Sequence, residues 1–494
     1  MNSSYKKLLC AIFFLIPVIL SFLCVYKADN DIWYLLSEGR YIIQNGIYHI
    51  DPLSMHEGLS VVVQNWVSAS LLWLVFSAFG KTGILLLTVI VNFVICFLLY
   101  KIAMLISKNN HILSLLVMFF TDIALMQDFI VTRPQIFSFV LLLSLVYFLE
   151  LYIKMDNSKY LIAIPILSFV EANLHASLWL MIFLIMVPYI IDGMKLPFVN
   201  TQKYRVKPLI IAFIISIFVG LINPYGYKVM TFIFTSFFDK QMHSYINELH
   251  VYSFGLRGLN LLAYLVMAAT MFCYTYFRKG NVRVRYICLY FGTMLLGLMS
   301  IKGLSHFFLL SIFPFAYFFK DLFPTSLNGV SKPIIKTINI LLPVVCVISI
   351  ISFIGIGVYG IKNFDMNNDA KKVFDDLAKY ATKGQTIYTA FNDGGYAEYR
   401  GYKPYIDPRA EVFLKINNHK EDIFLENYQL NHGVVDYKEF IDKYNFDYML
   451  VSYDDKMGGY LSNENDNYIM IIDDLASRYS IYARKDLLPV ATPS

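Results

Sequence analysis

The sequence predicts an α-helical polytopic membrane protein that carries a small extracytoplasmic α/β domain at its C-terminal end. Three observations lead there. Of 494 residues, 57% are hydrophobic and only 16% are charged, more apolar surface than a water-soluble chain of this size can bury. The apolar residues fall in runs long enough to cross a bilayer. Beyond residue 362 the composition turns polar and the periodicity changes.

The apolar runs are 8–26, 82–106, 111–127, 133–153, 159–174, 175–193, 207–224, 259–277, 284–301, 304–321 and 336–360. They make about eleven transmembrane helices at ~20 residues per span. Two shorter runs, Trp66 to Phe79 and Val229 to Phe238, read as interfacial helices lying along the bilayer surface. Basic residues set the direction. With the N-terminus inside, Lys6, Lys7, Lys101, Lys108, Lys154, Lys203, Arg205, Arg283, Arg285 and Lys320 all fall on the cytoplasmic side, as the positive-inside rule requires. An odd number of spans then leaves the C-terminus outside. The first run follows Lys6 and Lys7 as a signal peptide would, but no small-residue cleavage site follows it, so it reads as a retained helix. The net charge of +5 is accounted for by this topology and implies no nucleic-acid partner. All six cysteines lie in hydrophobic segments, with neither a disulfide framework nor zinc spacing.

Two domains follow: a transmembrane domain over 1–361, including a first outer loop (27–65) and the helix at 66–79, and the extracytoplasmic domain over 362–494. In the loop, Trp33, Leu36, Arg40 and Ile43 have helical spacing from Ile32 to Asn45, with Gly46 as the stop. In the second domain, Asp369 to Tyr380 and Tyr437 to Tyr444 read as helices. Thr386–Ala390, Lys403–Ile406, Phe446–Ser452, Ile469–Ile472 and Tyr479–Ala483 read as strands, with a turn at Asn392-Asp393-Gly394-Gly395. Asp407-Pro408-Arg409 either contacts substrate or braces a local turn.

The ionisable residues gather on one face. Asp29 and Asp31 stand just after the first span, where charge beside lipid is costly and marks a site. A helix N-cap explains one aspartate, not two. Asp51, His49 and His56 follow in the same loop, and Arg133, Glu171, Asn173, His175, Glu248, His250, Lys302 and His306 fall at the outer ends of later spans. Asp122, inside a span, fits none of this. A carboxylate among cations suits group transfer: the base takes a proton from an attacking hydroxyl or amine, and cations hold a departing phosphate. Phosphate leaves readily as an anion, so no acid is needed, unlike the carboxylate pair of glycoside hydrolysis.

Short motifs sharpen this. In order they are Asp29-Asn30-Asp31-Ile32-Trp33 with Gly39-Arg40, Asp51-Pro52-Leu53-Ser54, Arg133-Pro134-Gln135, Asn173-Leu174-His175, Asn223-Pro224-Tyr225-Gly226, Ile246-Asn247-Glu248, Gly394-Gly395-Tyr396 and Asp407-Pro408-Arg409. In these the chain resembles the GT-C superfamily of membrane glycosyltransferases, and within it a bacterial branch of multi-pass proteins. It departs from that branch at Leu249, where a Trp is common. The resemblance implies inverting transfer of a sugar from a polyprenyl-phosphate donor to an extracytoplasmic glycan, lipid or protein, in a bacterial cell membrane. It implies catalytic roles for Asp31 and Asp29, donor-phosphate binding by Arg133, Lys302 and His306, and sugar or acceptor binding by Asp51, Asn173, His175 and Glu248. It leaves open whether Asp29 and Asp31 hold a divalent cation (Mg or Mn). A transporter or flippase, or a polymerase of lipid-linked glycans, is the alternative, but inverted repeats and a polar path through the bilayer are missing from the sequence. A scaffold displaying the C-terminal domain leaves Asp29 and Asp31 unexplained.

Overall fold

The computed structural model describes residues 3–194, 204–237, 242, 246, 283–321, 332–463, 465 and 467–487. Twelve helices precede the C-terminal segment among these residues: α1 (Ser3–Cys24), α2 (Ile32–Asn45), α3 (Trp66–Ile106), α4 (His111–Met126), α5 (Gln135–Met155), α6 (Ala163–Leu174), α7 (Trp179–Gly193), α8 (Val206–Gly220), α9 (Lys228–Phe237), α10 (Val284–Met299), α11 (Gly303–Phe318) and α12 (Lys332–Asn363). The C-terminal segment adds α13 (Lys371–Leu377), β1 (Thr386–Tyr388), α14 (Gly394–Arg400), β2 (Lys403–Pro404), α15 (Lys415–Asn418), α16 (Ile423–Asn431), α17 (Tyr437–Tyr444), β3 (Tyr448–Ser452), α18 (Lys456–Asn463), β4 (Tyr468–Asp474) and β5 (Tyr479–Arg484). The expected span at 259–277 lies outside the described residues.

The chain forms two compact units. The first joins Met1–Lys27, Phe79–Gly226 and Ile246–Phe364; the second joins Ala28–Ala78, Tyr227–Tyr245 and Asp365–Ser494. The first loop and both short amphipathic helices therefore fold with the C-terminal segment, a grouping that a cut between 361 and 362 does not capture. Helix α3 passes from one unit to the other and breaks at Gly80, whose φ of 59° is open to glycine but strained for other residues. The break separates 66–79 from 81–106, where the sequence places an interfacial helix before a span.

Unit one is a multi-pass membrane bundle. Trp66–Ile106, Gln135–Met155 and Ala176–Gly193 are long and apolar enough to cross a bilayer, and shorter apolar helices such as Val284–Met299 and Gly303–Phe318 accompany them. Ile90, Phe218, Leu295 and Ile354 stand exposed on it, which water would penalise and lipid does not. Helix α11 is the centre, buried from Gly303 to Pro314 without interruption.

Two polar networks inside this bundle account for charges the sequence left in apolar runs. Asp122 accepts hydrogen bonds from Asn92 Nδ2 (3.0 Å) and the Cys96 thiol (3.3 Å), while Asn92 also donates to Ser21 Oγ at 3.1 Å. That ties α1, α3 and α4 together. Arg285, expected among loop cations, is instead buried: its Nη1 lies 2.6 Å from Asp192 and its Nε 3.2 Å from Glu150. The hydroxyls of Tyr189 and Tyr286 complete the Glu150 shell at 2.8 and 3.0 Å. Two carboxylates enclosing one guanidinium satisfy one another's charge where lipid would leave it bare.

Unit two is built on a five-stranded sheet in the order β2-β1-β3-β5-β4, parallel through β2-β1-β3 and antiparallel through β3-β5-β4. Helix α2 begins and ends where its spacing and Gly46 place it, Gly46 at φ 85° with its N–H on the Ile42 carbonyl. It lies against α14: the Trp33 ring meets Tyr396 and Tyr399 at 4.8 and 4.7 Å, and Arg40 donates to the carbonyls of Glu398 and Tyr399. Glycines in these two helices allow close approach to their other neighbours. A Cβ on Gly39 would stand 2.1 Å from the Ala69 carbonyl oxygen, and one on Gly394 would stand 1.9 Å from that of Ile406. Gly394-Gly395, expected in a turn, thus opens a helix instead. The rest of the first loop adheres to the same surface through Met55 N–H on Pro404, His56 on Tyr405 and Lys420 on Glu57. Helix α9 joins through Thr235, whose hydroxyl donates to Asn417 at 2.7 Å.

Candidate functional site

The two aspartates of the first loop form the entry to α2. Asp29 Oδ1 accepts the Asp31 N–H at 3.0 Å, and the Asp29 carbonyl takes the N–H of Ile32. Asp29 is therefore the residue that shapes the turn. Asp31 occupies the N-cap position, yet its side chain makes no capping hydrogen bond, and it stays half-buried. The capping role that would explain this carboxylate away is not used. Between them Asn30 anchors the turn, donating to the Asn392 carbonyl and accepting from Asn368 Nδ2 at 3.1 Å. The four N–H groups that open a helix favour negative charge beside them, and Asp31 stands at that position.

A second cluster belongs to unit one. It forms where the start of α5, the end of α6 and the start of α11 meet. His175 sits between two hydroxyls, Ser138 Oγ at 2.9 Å from Nδ1 and Ser177 Oγ at 2.8 Å from Nε2. Lys302 and His306 lie close enough to bear on its charge. Ser305 joins α11 to α5, accepting from Gln135 Nε2 at 2.9 Å and lying 3.3 Å from His306 Nδ1. The other His306 nitrogen and both oxygens of Glu171 are buried with no hydrogen-bond partner among the described residues. Buried polar atoms in that state are costly and call for a ligand, a water or a shift. The Arg285 network sits fifteen residues further along α5, ~22 Å away at 1.5 Å per residue, so the cluster occupies one end of the bundle.

The expected residues thus divide. His175, Lys302 and His306 come together, with Arg133 half-buried two residues before Gln135. Asn173 faces elsewhere: its amide donates to the carbonyls of Phe169 and Ile222 and joins α6 to the end of α8. Asp51 has no exposed side-chain surface and pairs with Arg409 at 2.7 Å, so it works as a strut of the loop. Glu248 and His250 lie outside the described residues. Sequence reading placed Glu38 in the first-loop group but singled out neither Ser138 nor Glu398, a further carboxyl beside Arg409; a lone serine or glutamate on a helix carries no pattern that marks it.

No family model and no curated protein matches the chain. Solved structures do. The oligosaccharyltransferase of Archaeoglobus fulgidus, tethered with an acceptor peptide containing the NVT sequon, matches with a TM-score of 0.60 at 11% identity over 99% of this chain and 76% of its own. ArnT from Cupriavidus metallidurans, bound to undecaprenyl phosphate, matches with a TM-score of 0.55 at 11% identity over 98% of this chain and 99% of its own. The chain has the GT-C fold. The GT-C resemblance of its short motifs therefore extends to the backbone along nearly the whole length. A further structure of the Archaeoglobus enzyme, in complex with Zn and sulfate, matches with a TM-score of 0.52 at 11% identity over 97% of this chain and 74% of its own.

A divalent cation was left open at Asp29 and Asp31. Mg and Mn take six oxygen ligands and are held through carboxylates with water completing the shell. Here one oxygen of Asp29 is already engaged by the Asp31 N–H, and among the described residues no group of three His, Cys, Asp or Glu side chains converges to hold a metal. The donor set does not make a dedicated metal site, and no step below runs through one.

Proposed function

We propose that the protein is a membrane glycosyltransferase that moves a sugar from a polyprenyl-phosphate donor to an extracytoplasmic acceptor, with inversion at the anomeric carbon. The GT-C fold, shared with one structure bound to undecaprenyl phosphate and another tethered to an acceptor peptide, supports the reaction class. The observation that carries the site is the pair Asp29 and Asp31 at a helix start, with Asp31 half-buried at the N-cap position. Asp31 accepts the proton of the acceptor hydroxyl or amine as that atom attacks the anomeric carbon. The bond from that carbon to the phosphate oxygen breaks, and its electrons leave with polyprenyl phosphate. Arg133, Lys302 and His306 hold the departing phosphate and neutralise its growing charge. Ser138 and Ser177 fix the ring of His175, which shapes the sugar subsite. Asp29 positions Asp31 through its backbone N–H. The N-terminus faces the cytoplasm and the C-terminal domain lies outside.

Mass spectrometry of lipid-linked sugars and surface glycans from wild-type and deletion strains identifies the donor. With that donor, Asp31→Asn in the purified full-length protein should cut turnover by roughly 10²–10⁴-fold, the span for loss of a general base. Donor consumption at the wild-type rate by the Asp29→Asn, Asp31→Asn double variant would overturn the assignment. So would lipid flipping in proteoliposomes with no covalent product.

A further inference from the structure

Unit two contains a buried ionic centre that the reaction above does not use. The Arg409 guanidinium makes four hydrogen bonds to three carboxyl groups drawn from three parts of the chain. Nη1 reaches Asp51 of the first loop at 2.7 Å, Nη2 reaches Glu398 of α14 at 2.6 Å and Asp407 at 2.7 Å, and Nε reaches Asp407 at 2.9 Å. Glu38 of α2 stands 3.8 Å from Nη1 and accepts from the Tyr48 hydroxyl at 3.3 Å. The side chains are 4% exposed for Arg409, 3% for Glu38 and 0% for Asp51, Glu398 and Asp407, so no substrate reaches them. One oxygen each of Glu38 and Glu398 is buried with no hydrogen-bond partner among the described residues.

We propose that Arg409 is a positioning residue: by binding Asp51 and Glu398 together beside Glu38, it holds the first loop and α2 on the C-terminal domain and so fixes where Asp31 stands. This rests on the transferase reading for Asp31's role, but not for the clamp itself. Glu38 follows Asp31 by seven residues, which is two helical turns, so both lie on nearly the same side of α2, ~10 Å apart along its axis. Fixing one therefore fixes the other. Charge explains why a guanidinium is needed. Four carboxyls around one cation cannot all ionise in a dry interior. Burial pushes Glu38 up to about 8 and Glu398 well above its usual range, against the pull of Arg409. Burial also works against the Asp51 anion, but Arg409 and the Ser54 N–H outweigh it and hold Asp51 below the usual carboxylate range. Asp51 then faces the guanidinium as an anion, and Glu38 and Glu398 complete the shell as neutral acids. Lysine, a point charge with three donors, cannot span Asp51, Glu398 and Asp407 at once.

The test uses full-length protein in lipid nanodiscs. In R409K, hydrogen exchange over Ile32–Asn45 should rise, and transfer from the identified donor should fall by roughly 10²-fold, as for a catalytic group displaced by about an ångström. Binding of undecaprenyl phosphate, read by native mass spectrometry, should stay unchanged. D51N should behave like R409K, whereas E38Q, an isostere of the neutral acid, should leave exchange and transfer as they are. Wild-type exchange over Ile32–Asn45 in R409K overturns the proposal. So does a loss of undecaprenyl phosphate binding in step with transfer, which marks general unfolding. If the wild-type protein transfers no sugar, the transferase reading fails, and the exchange measurement still decides the clamp.

Discussion

Asn92 shows how much one side chain settles in this protein. It donates to Asp122 and to Ser21 from the middle of an apolar helix, and without it the Asp122 carboxyl keeps, among the described residues, only the weak thiol donor of Cys96. Asn92→Leu should therefore destabilise the full-length protein by about 1–3 kcal/mol, the cost of stripping a partner from a buried polar group, and a thermal melt in detergent reads it. Asp122 alone had no account from sequence, because its partners sit on neighbouring helices and share no local pattern with it. Asp29 and Asp31 were legible because charge beside lipid is conspicuous by itself. What the residues did not reveal was the division of labour between them, with Asp29 closing the turn and Asp31 standing at the N-cap position of α2.

Elements were most legible where period and punctuation agree. Helix α2 runs from Ile32 to Asn45 and stops at Gly46, as its spacing requires, and Tyr437–Tyr444 is likewise a helix over its expected span. The miss at Asn392-Asp393-Gly394-Gly395 has a physical reason: paired glycines favour turns in isolation, but here they thin the start of α14 so that the Ile406 carbonyl and Tyr34 can approach. Helices α16 and α18 were not anticipated, α16 having little amphipathic contrast to announce it. At this scale the clamp makes a prediction about pH. Glu38 in the folded state holds its proton up to about 8, while in the unfolded chain it loses it in the ordinary range near 4.3. The folded form thus binds more protons between those values, so stability falls as pH rises through that window. Melting temperatures measured from pH 5 to 9 should decline in the wild type, and Glu38→Gln should flatten the decline.

Taken whole, the molecule separates a membrane bundle from a unit that gathers the first loop, α9 and the last 130 residues. The bundle carries the cationic cluster, and its contribution is testable apart from the aspartates. Lys302→Ala should weaken binding of undecaprenyl phosphate roughly tenfold or more, since a hydrogen bond to a charged group contributes about 1.5–3 kcal/mol. Titration by native mass spectrometry measures it. Membrane character and the GT-C architecture were readable from hydrophobic runs and the order of short motifs. The grouping of the first loop with the C-terminal segment was not, because it rests on contacts such as Asp51 with Arg409, separated by 358 positions in the chain. No periodicity links positions so distant.

That separation has a consequence for how the protein is made. Asp51 emerges from the ribosome among the earliest residues and Arg409 among the late ones, so the guanidinium that shelters those acids does not exist until most helices are inserted. A nascent chain arrested at residue 364 should leave 28–65 open to protease, whereas one arrested past 487 should protect it.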